Sequence, residues 1–292
     1  MDYQIIYPIL DAYGGPILLV VFVALLYLEY RHPLRRWVQG VFSRRLLTNI
    51  GVSVPAFIIL RLALIPAEVA AGYWATEHHF GLLYLVALPG WLCAVLAFLL
   101  LDYVLYIWHW LSHNVPFLWR FHNVHHTDLD LGVSTAVRFH FGEMILSGLF
   151  RVVGVLLIGA GPVVVLVYEV VFEASVAFQH SNWRLPIRLE RILNLFIITP
   201  RMHGIHHSIF REETDSNYTN LFNVWDRIHG TLRLDVPQED ITIGVPGYRD
   251  GYDLSLFGLL TLPFRHQKDY WKLPDGTHPT RHETGEKDHL AP

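Results

Sequence analysis

The chain has 292 residues, of which 52% are hydrophobic, 14% aromatic and only 16% charged, where soluble domains carry about 25% charged residues. That deficit, with a formal net charge of -4, excludes a disordered chain, a coiled coil and a basic nucleic-acid-binding protein. A single cysteine, Cys93, excludes a disulfide scaffold or a thiolate metal cage, and its apolar neighbours give it a packing role.

A bilayer core of about 30 Å takes roughly 20 apolar residues of helix. Residues 17–30 form a first apolar run, extending back over Gly14, Gly15 and Pro16. No basic segment precedes it and no small-residue cleavage site follows, so it reads as a membrane helix and not a signal peptide. Residues 46–71 form a second run, interrupted in charge only by Arg61 and Glu68, and residues 82–101 a third with no charge. Residues 144–178 form a longer run broken at Gly159-Ala160-Gly161-Pro162. That break predicts two helices in a hairpin, each about 15–17 residues and therefore tilted or re-entrant. The chain turns polar after residue 211. Within its last part, residues 254–264 are too short to span and are expected to dock or to lie at the interface, followed by a solvated tail.

The expected fold is an all-α integral membrane bundle of four or five membrane helices, including the hairpin, with a histidine-rich helical cap. Its parts are N-terminal membrane helices with a basic loop over 1–81, a histidine-rich segment over 82–235 and a polar tail over 236–292. Residues 1–16 and 72–81 contain no Lys or Arg, whereas 31–45 contain Arg31, Arg35, Arg36, Arg44 and Arg45. The positive-inside rule then puts the 31–45 loop, and with it the histidine cap, on the cytoplasmic face of a bacterial inner membrane or endoplasmic reticulum.

Of 18 histidines, ten fall between His109 and His207. His109 and His113 are four apart, so both share a helix face. His122, His125 and His126 form an HxxHH motif, as do His203, His206 and His207, and a lone His180 precedes Ser181-Asn182. Neutral imidazole ligates iron, copper, nickel and zinc. Eight or nine imidazoles exceed the shell of one ion and suit two ions held close together. A zinc protease of the HExxH kind is excluded, because neither motif has the glutamate.

This order of motifs resembles the fatty acid hydroxylase and sterol desaturase superfamily, integral membrane non-haem diiron oxidases. Asp102–His109 is similar to the family's approach to its first motif. Arg138-Phe139-His140-Phe141-Gly142-Glu143 is similar to its Arg-x-His-Pro-x-Glu segment, with Phe141 in place of proline. Asn217-Tyr218 and Trp225–Thr231 resemble its Asn-Tyr-Gly and Trp-Asp-x-x-Phe-Gly-Thr block, with Thr219 for the glycine and His229 for the phenylalanine. The resemblance covers about residues 82–231. It implies that His109, His113, His122, His125, His126, His180, His203, His206 and His207 are ligands of two iron ions. His140 would be a tenth ligand or, like Glu143, a supporting group. Asp102, Glu173 and Asp226 are candidate carboxylate partners for ligand imidazoles. His32, His78, His79, His266, His278, His282 and His289 are expected to be solvated or interfacial.

The resemblance further implies dioxygen-dependent hydroxylation, or desaturation, of a fatty acyl, sterol, isoprenoid or ether lipid reaching the site from the bilayer. The sequence has no flavin or nicotinamide fingerprint. Electrons are therefore expected from a b-type cytochrome, a ferredoxin with its reductase, or a reduced pterin. The alternative is a membrane metal carrier or sensor without redox turnover.

Overall fold

The computed structural model describes residues 3–39 and 44–281, so His282, His289 and most of the expected solvated tail lie outside the described residues. The described chain is all-helical, with no strands and three isolated bridges. Five of its helical elements are long and apolar enough to cross a membrane, and the chain reads as a multi-pass membrane protein.

The first helix, α1 (Tyr3–Arg31), runs toward the histidine cap and packs along α7. Helix α2 (Arg44–Ile59) starts at the cap and continues through a π-helical turn, Leu60–Leu64, into α3 (Ile65–Glu77). Pro66 cannot donate to the carbonyl four residues back, and the wide turn before it re-registers the ladder. With the 3-10 turn at Leu82–Tyr84 this segment extends over 41 residues, longer than the run expected over 46–71. Its continuous helical part, residues 44–77, measures about 50 Å at 1.5 Å per residue, well beyond the hydrocarbon core. Its first turns therefore line the cap and its later turns cross.

Helix α4 (Gly90–Asn114) corrects the expected third span in register. Pro89 caps its start, so residues 82–89 belong to the preceding connection. His109 and His113 ride on the last turns of the membrane helix itself and not beyond it. Val115 is extended, as a residue before proline must be, and Pro116 opens α5 (Pro116–His126). The hairpin arms are α6 (Phe141–Ile158) and α7 (Pro162–His180), 18 and 19 residues and longer than expected. Gly159, at φ 79°, ends the first arm and Pro162 starts the second. Gly72 and Gly81 pack against this turn: a Cβ on Gly81 would lie 2.4 Å from Gly159 N. The hairpin turn and the end of α3 thus share the end opposite the histidines. Tyr73, Trp74, Tyr84 and Trp91 are exposed toward that end, where amphipathic rings suit a membrane interface.

Short helices complete the cap: α8 (Ile187–Leu193), α9 (Pro200–His206), α10 (Arg211–Thr214), α11 (Val224–His229) and α12 (Leu256–Thr261). Leu259 and Leu262 join a core with Val52, Trp119, Val124, Val245 and Tyr248, so residues 245–262 are docked on α2 and α5. Arg281 makes a bidentate pair with Glu213 at 2.5 and 2.7 Å. The described part of the polar tail is therefore fastened to the cap and not free in solvent.

The arginine-rich connection lies on the same side as the histidines. Arg45 Nε donates to Asp128 Oδ1 at 2.7 Å, Asn49 Nδ2 to Asp128 Oδ2 at 3.0 Å, and Arg138 Nη1 to Asn49 Oδ1 at 2.8 Å. Burial works against the charge on Asp128, but Arg45 and Arg138 beside it hold its carboxyl below the usual range. Glu29, at the end of α1, accepts from the backbone N–H of Val133 and of Asn182 at 2.8 and 2.9 Å. These clamps fasten α1 and α2 to the two loops that follow histidine motifs.

Candidate metal centre

Four elements bring the nine motif histidines together. The end of α4 carries His109 and His113, the end of α5 carries His122, His125 and His126, and the end of α7 carries His180. His203 and His206 stand on α9, with His207 at its C-cap. Helical spacing splits each HxxHH motif between two sites. His109, His113, His122, His126 and His206 form one group; His125, His180, His203 and His207 form the other. Within each group the ligand-type nitrogens lie within 4.8 Å of one another. The groups adjoin: His126 and His207 stack at 4.3 Å between centroids, and His206 and His207 are 5.3 Å apart.

The nitrogens are turned in a consistent sense. Nδ1 of His109, His180 and His206 donates to the backbone carbonyls of Tyr218, Val176 and Ser216 at 2.6, 2.7 and 2.7 Å. His122 Nδ1 lies 2.6 Å from Glu143 Oε1. A ring that donates from Nδ1 presents a bare lone pair at Nε2. In the second group Nε2 atoms face one another, His180 to His125 and to His203 at 2.9 Å each, and His207 to His203 at 3.1 Å, while Nδ1 of His125, His203 and His207 has no partner. In the first group His126 and His122 Nε2 are 3.2 Å apart, and Nε2 of His109, His113 and His206 has no partner. Converging lone pairs in a buried site repel one another without a cation. Nitrogens about 2.1 Å from a shared ion and at right angles to each other stand about 3.0 Å apart. The donor sets therefore fit one metal ion each.

Electrostatics point the same way. Burial, reinforced by neighbouring imidazoles, holds His125, His126, His203 and His207 well below the ordinary imidazole range, and His206 falls to about 3. All five are neutral at pH 7, the form in which imidazole binds metal.

Of the other candidates, the structure brings Glu143 to His122 and places the rest differently. His140 belongs to neither group: its Nδ1 accepts from Gly142 N–H at 2.9 Å, capping α6, and its Nε2 donates to Leu260 O at 3.1 Å. Asp102 touches no histidine. Seven residues along a helix is about 10 Å, and its carboxylate instead accepts from Tyr168 OH, Phe222 N and Trp225 Nε1. Glu173, also seven residues from its histidine, feels Arg151 instead, and His180 finds its acceptor in its own helix. Asp226 acts one step removed. It accepts from the N–H groups of Tyr218 and Thr219 at 2.9 and 3.1 Å and from Thr231 Oγ1 at 2.6 Å, fixing the turn whose carbonyl holds His109.

Sequence reading placed Asn217 in a family-like Asn-Tyr motif but gave it no role at the site. It adopts φ 51°, a left-handed conformation that Asn tolerates better than most residues. Its side chain donates to Met202 O and Arg233 O and accepts from Arg233 N. The turn it makes lets the carbonyls on either side, Ser216 O and Tyr218 O, both reach histidines. The motif marked the position, but the left-handed turn that gives it a role is not visible in a sequence. Asp215, 3.6 Å from His113 Nδ1, was missed, because a lone aspartate in a polar segment carries no sequence signal.

Residues 94–231 match the family model for fatty acid hydroxylase. The chain is 30% identical over 205 residues to ornithine lipid hydroxylase OlsE of Rhizobium tropici, covering 70% of this chain and 60% of that protein. It is 29% identical over 177 residues to a cholesterol 25-hydroxylase-like protein of Danio rerio, covering 58% of this chain and 66% of that one. It is 27% identical over 175 residues to the alkylglycerol monooxygenase of Homo sapiens, covering 60% and 37%. No solved structure matches significantly. The chain thus contains a fatty acid hydroxylase family domain over residues 94–231. It spans less than two thirds of each of these relatives.

Proposed function

We propose that this chain is a membrane-bound lipid hydroxylase whose nine grouped histidines hold two iron ions. The observation that carries this reading is the division of those histidines into adjoining sets of five and four with Nε2 atoms converging in each. When bound, an iron pair supplies the power to activate dioxygen and break an unactivated C–H bond. The chain's own work is orientation and exclusion of water. The carbonyls of Tyr218, Val176 and Ser216 and the carboxylate of Glu143 fix four of the rings, as a ligand's outer partners do in metal sites. Val124, Met202 and Ile205 are buried beside the motifs, and Phe139 stacks on His125 at 4.5 Å, keeping the surroundings apolar.

Hydroxylation is favoured over desaturation because the relatives reported above are named hydroxylases or monooxygenases. Their names specify an ornithine lipid, a cholesterol and an alkylglycerol, which supports a lipid substrate drawn from the bilayer. Electrons come from a separate donor on the cytoplasmic face, the face chosen by Arg31, Arg35, Arg36, Arg44 and Arg45. The test is lipid mass spectrometry of cells expressing the protein under isotopically labelled dioxygen. Label in a new lipid hydroxyl, absent with His203→Ala, is the expected result. Metal uptake with no oxidised lipid would instead favour a carrier or sensor.

A further inference from the structure

Three carboxylates and one guanidinium are enclosed among the membrane helices, apart from the histidines. Arg151 of α6 reaches Glu68 of α3 at 3.1 Å through Nε and 3.2 Å through Nη2, and pairs with Glu169 of α7 through Nη2. Glu68, Arg151 and Glu169 are 2%, 5% and 5% exposed. Glu173, one turn further along α7, is partly buried and interacts electrostatically with Arg151 and Glu68. Glu169 Oε2 has no hydrogen-bond partner. A cavity of about 10 Å³ lies beside it, lined by Glu68, Arg151, Tyr168 and apolar residues of α4 and α7. Nearby, Tyr168 OH is committed to Asp102 on α4, and Arg61, seven residues before Glu68, is exposed.

With all three glutamates ionised, this site would hold two more negative charges than positive ones. Ions without a counter-charge are strongly disfavoured in the hydrocarbon region. The cavity has room for about one water, too little to hydrate them. Carboxylates around one cation titrate as a set, and binding a proton is the least costly way to lower their charge. An ion-pair cluster that only ties α3, α6 and α7 together needs two glutamates, Glu68 and Glu169, and already carries one negative charge in excess; it leaves Glu173 without a reason.

We infer that Glu68, Glu169 and Glu173 form a proton-binding site inside the membrane that supplies the histidine centre. Residues 169, 173 and 180 lie within about 40° of one another around α7, and Glu173 is about 10 Å along the axis from His180. This use rests on the hydroxylase reading. A turnover that puts one oxygen atom of dioxygen into a lipid reduces the other to water, with two electrons from the external donor and two protons. A buried store of protons on the helix that carries His180 meets that need.

The test is infrared spectroscopy of the full chain in lipid nanodiscs, without added metal, in water and in heavy water. A carboxylic-acid C=O band at neutral pH that shifts in heavy water is expected in the wild type and is lost or weakened in E169Q and E68Q. A wild type without such a band, or one whose band is unchanged in folded Gln variants, overturns the site. In the iron-loaded enzyme, E173Q is expected to lower kcat about tenfold or more with KM for the lipid unchanged, and to raise the solvent isotope effect. Wild-type kcat and isotope effect in E173Q overturn the supply role. A wild type that binds iron but never turns over overturns the hydroxylase reading, and the infrared band still decides the proton site.

Discussion

His109 Nδ1 donates to the backbone carbonyl of Tyr218 across 2.6 Å, joining the last turns of a membrane helix to a turn more than a hundred residues later. That turn is held by Asn217 from within and by Asp226 from outside, and Ser216 O on its other side holds His206. Both histidines belong to the group of five. Asn217→Ala removes three hydrogen bonds and leaves a side chain at positive φ; Asn217→Gly removes only the bonds. The first group is expected to lose its ion in Asn217→Ala while the second keeps its own. Asn217→Gly is expected to fall between that variant and the wild type. Metal content per chain measures this, and equal loss from both groups would contradict it.

Glu143 supplies the one carboxylate that touches a motif histidine among the described hydrogen bonds. Glu143→Gln keeps the shape but withdraws the charge that strengthens His122 as a donor. Disturbing such partners costs about 10–100-fold in metal affinity. Competition with a chelator of known affinity should show a loss in that range, with the helical circular dichroism unchanged. Wild-type retention of metal would remove Glu143 from the account.

The three histidine classes should separate by metal content. His113→Ala should empty the group of five and spare the other; His203→Ala should do the reverse. His140→Ala should keep both ions, because both ring nitrogens are engaged elsewhere, Nδ1 by Gly142 N–H at the start of α6 and Nε2 by Leu260 O. Loss of that cap is expected to lower stability by about 1 kcal/mol, read from thermal unfolding in detergent. Metal loss in His140→Ala would show that the capping geometry is not its role.

Gly81, at φ 113°, presses on the hairpin turn opposite the histidines. A methyl group there meets Gly159 N at 2.4 Å and Leu156 O at 2.7 Å, both backbone atoms that cannot swing away. Gly81→Ala is expected to destabilise by about 1–3 kcal/mol. Below the unfolding transition its metal content should remain that of the wild type. An unchanged unfolding temperature would mean the turn yields easily.

The histidine spacing was legible because it depends on side chains at fixed helical intervals, and the same is true of the apolar spans. Helix edges were harder. The third span was misplaced because a hydropathy run does not show that Pro89 starts the helix or that His109 and His113 continue it. The division of each HxxHH motif between two groups depends on how α5 and α9 face each other, which no single segment contains. Partners fared worst: three of the four imidazole acceptors are backbone carbonyls, which any residue possesses. Asp102 and Glu173 drew attention by sharing a face with a histidine, but two helical turns separate them from it. Their partners, Trp225 and Arg151, come from elsewhere in the chain.

The most direct measurement is iron analysis of anaerobically reconstituted protein combined with X-ray absorption at the iron edge. The account predicts two irons per chain in shells dominated by imidazole nitrogen, matching sets of five and four histidines. A single ion per chain, or a shell dominated by carboxylate oxygen or sulfur, would contradict it.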